Sequence, residues 1–177
     1  MNDIIIKNPF CIEEIHGFTP AISHLVKMMN YARITTIKSV EGLTVDELDY
    51  QFSDISNSIG ALLAHMAAVD RWFQVFTFEG RMMTEEEMEP IKAAMDLGRL
   101  GREKIKGNTL KHYLDELKRV RSITFTELSK RDDEWLLKSI EHSEDYRANY
   151  YFEWFHVLED EVNHRGQIRI IRKMQGR

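Results

Sequence analysis

The chain has 177 residues and 20.9 kDa, with 24 basic against 29 acidic side chains, for a net charge of −5 and a pI near 5.8. Residues that are 43% hydrophobic and 30% charged describe an ordinary globular chain and exclude a disordered, collagenous or membrane-spanning one. The acidic balance argues against a dedicated nucleic-acid binder, whose affinity rests on cations at phosphates, and the single cysteine, Cys11, excludes an internal disulfide or a cysteine-rich zinc site.

The N-terminus reads MNDIIIKNPF, in which three isoleucines between Asp3 and Lys7 are too few for a secretory leader. No apolar run reaches 18 residues, so no membrane span is expected, and a lone cysteine suits a reducing compartment. Cytoplasmic localisation follows as the expectation. Thr19-Pro20 reads as an N-cap with proline at the first helical position. Ile22, Leu25, Val26, Met29 and Ala32 then recur at helical spacing, predicting a first long helix that stops at about Val40, before Gly42.

Thr44 and Glu47 form a capping box that opens a short helix through Asp49. From Ser58, the residues Ile59, Leu62, Leu63, Met66, Val69, Trp72, Phe73 and Phe76 predict a second long helix ending before Gly80. Thr84 and Glu87 repeat the capping box, predicting a short helix over 85–97 bent at Pro90. Three glycines make 98–107 a connection without the spacing of a phosphate-binding loop.

Asn108 reads as the cap of a third long helix, with Leu110, Tyr113, Leu114, Leu117, Val120, Ile123, Thr124 and Leu128 as its stripe. Residues 131–147 read as a loop with the apolar patch Trp135–Leu137, and a fourth long helix runs from about Ala148 to Lys173. Four long helices with a long crossover between the second and third predict an all-α protein, a four-helix bundle, in one domain spanning 1–177. Short strands at Ile4–Ile6 or Leu136–Ile140 stay open.

Of seven histidines, two contexts stand out. His65 sits among Ala61, Leu62, Ala68, Val69 and Trp72, where a buried imidazole must satisfy two nitrogens with hydrogen bonds or a metal. In the fourth helix His156, Asp160 and His164 stand four apart, so each lies about 6 Å further along the axis and only ~40° around it. Neighbours at that spacing can chelate one ion, and a ligand on a facing helix completes such a site. An aspartate in mid-helix is unfavoured by propensity, and its burial between histidines calls for a partner or a metal.

Glu159 and Glu161 point about 100° away from Asp160 on either side and read as a solvated face. The basic residues Arg165, Arg169, Arg172, Lys173 and Arg177 read as complements of the helix dipole.

The segments NSIGALLAHMAAVDRWF (57–73) and FHVLEDEVNHRGQIRIIRKM (155–174) together resemble the DinB/YfiT-like family of metalloenzymes, in matching order. The resemblance implies a divalent metal held by His65, Asp160 and His164. A carboxylate in place of the more usual histidine at position 160 is similar to the branch of thiol-dependent maleylpyruvate isomerases. Two imidazoles and one carboxylate suit Zn²⁺, and also Ni²⁺, Mn²⁺ or Fe²⁺. His156 is not a ligand in this scheme; it is a candidate catalytic residue, as pocket wall, proton shuttle or partner of Asp160. Ser58, Trp72 and Tyr31 are candidates for the cavity wall or for plain core.

Two functions from different classes follow. One is a transferase or isomerase using an external low-molecular-weight thiol on a small-molecule substrate, with metal-assisted hydrolysis as the neighbouring chemistry. The other is a non-catalytic metal-binding or stress-response protein whose site is structural or vestigial. The resemblance also implies a homodimer, for which Phe10, Phe18 and the Phe73–Phe78 segment offer apolar surface, and neither a nucleic-acid nor a membrane partner.

Overall fold

In the computed structural model, which describes residues 8–143 and 146–176, the chain is mostly helical with one two-stranded sheet. The strand reading at Ile4–Ile6 lies outside the described residues. Helix α1 (Pro20–Val40) begins with proline at its first turn, as read from Thr19-Pro20. Helix α2 (Val45–Asp49) carries the full capping box of Thr44 and Glu47. Helix α3 (Ile59–Phe73) is capped by the Ser58 hydroxyl, which accepts from the Ala61 N–H at 3.2 Å.

The second long helix does not continue as α-helix to Gly80. Gln74–Phe78 forms a π-helical turn, in which the Thr77 hydroxyl donates to the Phe73 carbonyl at 2.6 Å. A π-turn adds one residue to the register, which turns Gln74 and Thr77 both inward. The crossover is also more structured than expected. The segment over 85–97 splits around Pro90 into α4 (Glu85–Met88) and α5 (Lys92–Asp96), and the glycine-rich connection holds α6 (Arg99–Lys104).

Helix α7 (Leu110–Leu128) is capped by Thr109 rather than Asn108, through the His112 N–H at 3.2 Å. The supposed loop holds α8 (Asp133–Leu137) and the antiparallel strands β1 (Ser139–Ser143) and β2 (Tyr146–Asn149). Helix α9 (Tyr150–Met174) starts where the Asn149 side chain accepts from the Phe152 N–H at 2.8 Å. So the chain is mostly helical as expected, and one hairpin is added, whose first strand overlaps the end of the Leu136–Ile140 segment left open above.

The four long helices pack α1 on α9, α3 on both α7 and α9, and α1 on α7, with α5 laid across α3. Small residues on α3 permit this approach; a Cβ on Gly60 would lie 2.6 Å from the Tyr113 hydroxyl. The apolar core falls into two clusters. One gathers Ile22, Leu25, Val69, Phe73, Leu128 and Trp154; the other gathers Val40, Leu62, Leu63, Leu117, Val120 and Ile168.

Between the two lies a layer of charge. Arg33 of α1 donates from Nε and Nη2 to the two carboxylate oxygens of Glu161 on α9, at 2.8 and 3.1 Å. Arg121 of α7 donates to Asp70 of α3 and to Glu161, both at 2.8 Å. Thr124 donates to the other Asp70 oxygen at 2.6 Å. Glu161, expected on a solvated face, is therefore 1% exposed. The two guanidiniums overcome the penalty of burial and hold its pKa down at about 2. Of the basic C-terminal residues, Arg165, Arg169 and Arg172 donate to Thr35 Oγ1, Ser39 Oγ and the Ser39 carbonyl of α1, and Arg172 and Lys173 lie in the last turn of the helix, where cations complement its dipole.

Candidate metal centre

Helices α3 and α9 bring His65, Asp160 and His164 together, with one ligand atom from each within 4.8 Å of the others. Asp160 Oδ1 lies 3.1 Å from His164 Nε2, one turn along the same helix, and 3.6 Å from His65 Nε2 across the interface. The two imidazole rings meet edge to face, 4.9 Å apart. All three side chains are 10–15% exposed.

The crossover supplies a partner that no sequence spacing announced. The Ala94 carbonyl on α5 accepts from His65 Nδ1 at 2.8 Å. A carbonyl only accepts, so Nδ1 carries the proton and the neutral ring turns the lone pair of Nε2 toward Asp160. Burial disfavours charge on His65, but Asp160 and the Ala94 carbonyl outweigh it and raise its pKa above the usual 6.5. Burial also opposes the Asp160 carboxylate, and the two histidines overcome it and hold that group far below the ordinary carboxylate range.

Asp160 Oδ2 and His164 Nδ1 are buried without a hydrogen-bond partner among the described residues. Buried polar atoms ordinarily find partners, so the left-over Asp160 Oδ2 inside the donor cluster fits a ligand that protein atoms do not replace; His164 faces Asp160 with Nε2, and its Nδ1 lies on the other side of the ring. The spacing fits as well, since bonds of about 2.0–2.2 Å to a shared ion put neighbouring ligand atoms roughly 3–3.5 Å apart.

His156 is not drawn into this cluster. It is half-exposed, with Nδ1 3.2 Å from Glu159 and its ring beside Phe73 and Phe152. Ser58 serves as the cap of α3, Trp72 stacks on Phe76, and Tyr31 lines a different groove. That groove, about 560 Å³ between α1 and α9, is walled by Phe10, Ile12, Tyr31, Phe155 and Val162. Among the expected surface aromatics only Phe10 is widely exposed; Phe73 is buried, and Phe18, Phe76 and Phe78 pack against the core.

The fold and the cluster define a helical protein with a two-histidine, one-carboxylate donor set where two long helices face each other. A family model described as mycothiol-S-transferase matches residues 24–176, and the chain belongs to that family, which is DinB/YfiT-like. None of the curated proteins compared with it matches.

Solved structures share its fold. A conserved protein from Enterococcus faecalis is 17% identical with a TM-score of 0.67, over 84% of this chain and 93% of that one. A protein from Streptococcus pneumoniae is 13% identical with a TM-score of 0.66, over 88% and 90%. An uncharacterized protein from Clostridium difficile 630 is 12% identical with a TM-score of 0.62, over 92% and 98%. No helix among the described residues is long and apolar enough to cross a membrane.

Proposed function

We propose that the protein is a divalent-metal-dependent transferase that conjugates a small external thiol, mycothiol or a close analogue, to a small-molecule acceptor. The observation that carries this is the donor trio with its orphaned, buried Asp160 Oδ2, in a chain whose family is described by thiol transfer. Bound there, a divalent ion would act as a Lewis acid and hold a thiol as thiolate at neutral pH.

The chain's own groups do the rest. His65 and His164 offer imidazole nitrogen, Asp160 offers carboxylate oxygen, and Ala94 fixes the ring of His65. Two nitrogens and one oxygen favour Zn²⁺, with Ni²⁺, Mn²⁺ and Fe²⁺ as alternatives. Cys11 is exposed and lies in the segment before α1, so the nucleophilic thiol is a co-substrate. His156, exposed to solvent and bonded to Glu159 one turn before Asp160, serves in this reading as the proton carrier between solvent and site. Isomerisation and metal-assisted hydrolysis are the neighbouring reactions of the same centre.

The architecture belonging to this reading is one domain, a four-helix bundle with a long crossover. The protein works in the cytoplasm as a homodimer, without nucleic-acid or membrane partners, and the exposed apolar groove between α1 and α9 supports pairing with a second copy. Sedimentation at two concentrations tests the pairing.

Elemental analysis of wild type and His164→Ala tests the centre. One equivalent of metal in wild type, lost in the variant together with thiol conjugation, is expected; equal, negligible metal in both defeats the proposal. A structural or vestigial site is the second reading, favoured by the low exposure of all three side chains. It predicts bound metal that raises thermal stability, with no turnover of any thiol and electrophile pair.

A further inference from the structure

The charged layer lies next to the donor trio and shares two of its helices with it. Asp70 follows His65 by five residues on α3, and Glu161 is the next residue after Asp160 on α9. Above the layer α1, α3, α7 and α9 contribute Ala32, Val69, Phe125 and Leu158 to one apolar cluster. Below it they contribute Val40, Met66, Val120 and Ile168 to the other. Arg33, Asp70, Arg121 and Glu161 therefore form a waist in which two positive and two negative charges, each on its own helix, close on one another.

We infer that this quartet is a positioning device for the metal centre: it sets the register and rotation of α9 against α3, and so the distance between His65 and Asp160. The inference rests on the metal reading proposed above. Its physical basis is that apolar side chains tolerate sliding, whereas buried charges do not. Moving α9 by one turn, about 5.4 Å, would carry Glu161 from two guanidiniums into an apolar cluster.

Rotation is fixed in the same way. Glu161 lies about 100° around the helix from Asp160, so locking Glu161 toward α1 and α7 leaves Asp160 turned toward α3. Arg33 also donates to the Leu117 carbonyl at 2.6 Å, and Arg121 to the Met29 carbonyl at 3.1 Å, which ties the layer to the backbones of α7 and α1. Ligand geometry is useful only when held to about 0.5 Å, and among the described residues the three ligands make their hydrogen bonds and ion pairs within α3, α5 and α9. The layer supplies a buried reference to α1 and α7, beside the bonds that Arg165, Arg169 and Arg172 make from α9 to α1.

The test compares Zn²⁺ affinity, by competition with a chromophoric chelator, and the visible spectrum of the Co²⁺ form. The variants are Glu161→Gln and Arg121→Lys, with Leu136→Ala as a control. Leu136 is fully buried in the apolar cluster away from the trio, so its truncation lowers stability without touching the layer. The expected result is Zn²⁺ binding at least 10-fold weaker and shifted Co²⁺ bands in the two layer variants, with affinity within about twofold of wild type in the control. Layer variants that fold and keep wild-type affinity and spectrum overturn the inference, as does a control that loses metal equally.

One arm needs no variant. Coupling is reciprocal, so Zn²⁺ added to the wild-type protein must slow hydrogen exchange at the Nε–H groups of Arg33 and Arg121, read by nitrogen-15 NMR. Unchanged exchange overturns the inference even where no variant folds. Failure of the wild type to bind Zn²⁺ defeats the metal reading and this inference with it, a result distinct from any of the others.

Discussion

Replacing Arg121 with methionine keeps most of the side-chain volume and removes one guanidinium from the buried layer. Arg121 donates to Asp70 at 2.8 Å, to Glu161 at 2.8 Å and to the Met29 carbonyl at 3.1 Å. After substitution Arg33 alone faces two carboxylates. It keeps its paired bonds to Glu161 but stands 3.6 Å from Asp70, which is left with the Thr124 hydroxyl as its near donor. Removing one partner of a buried ion pair costs about 3–5 kcal/mol, while the Met29 carbonyl, inside α1, keeps its helical hydrogen bond. The remaining donors place the loss near 4 kcal/mol, a large share of the roughly 5–15 kcal/mol that holds a domain folded.

Unfolding entropy for 177 residues is about 0.4 kcal/mol/K, so the melting temperature should fall by about 10 °C. Far-UV circular dichroism in the presence of a chelator measures this without interference from metal. Acid gives a second reading. The depressed Glu161 pKa makes its stabilisation complete above its ordinary value of 4.5 and lost as pH falls toward about 2. The gap between variant and wild type should therefore narrow across that window. A fall of less than about 3 °C at neutral pH would show that the layer is worth no more than the apolar contacts replacing it, and would refute the reasoning.

Gly60→Ala places a methyl group 2.6 Å from the Tyr113 hydroxyl and 3.0 Å from its ring, so a loss of about 1–3 kcal/mol is expected in urea unfolding. Tyr113→Phe in the same background removes the nearest atom and should recover part of it; no recovery would mean that the clash lies elsewhere. Cys11→Ser should leave thiol-transfer kinetics unchanged, because Cys11 is exposed and distant in sequence from all three donors; a tenfold loss of kcat would contradict an external thiol.

In the metal-free protein the raised pKa of His65 makes its pairing with Asp160 stabilising below pH 6.5, and that stabilisation fades as pH rises through the folded value. The melting-temperature advantage of wild type over His65→Gln should shrink with rising pH without metal. With Zn²⁺ it should grow, since the ligands must shed protons to bind. The same slope in both conditions would disprove the assignment of His65.

The donor trio was only partly legible from local periodicity, which puts His156 on the same face as Asp160 and His164; the choice of His65, Asp160 and His164 rested on the resemblance of segments 57–73 and 155–174 to the DinB/YfiT-like family. A four-residue interval places Asp160 and His164 on one helical face whatever the rest of the chain does, and the ALLAH segment marks His65 as polar within an apolar run. Capping boxes at Thr44 and Thr84 were legible for the same reason, being satisfied within four residues. Glu161 was misread because an acidic residue beside Asp160 looks identical whether it meets water or two arginines. Those arginines lie 128 and 40 positions away in the chain. The β1–β2 hairpin and the π-turn after Phe73 gave no periodic signal of sufficient length, and the cap of α7 moved by one residue to Thr109, within the ordinary uncertainty of a helix end.

The sequence by itself determined the long helices and their amphipathic faces, since spacing of 3.6 residues per turn and capping chemistry are local properties. The tertiary structure alone decided that the Ala94 carbonyl orients His65 and that Glu161 closes a charge layer rather than facing water. Each of these depends on groups dozens of residues apart being packed at one level, where burial changes the energy of a charge by more than any local preference does.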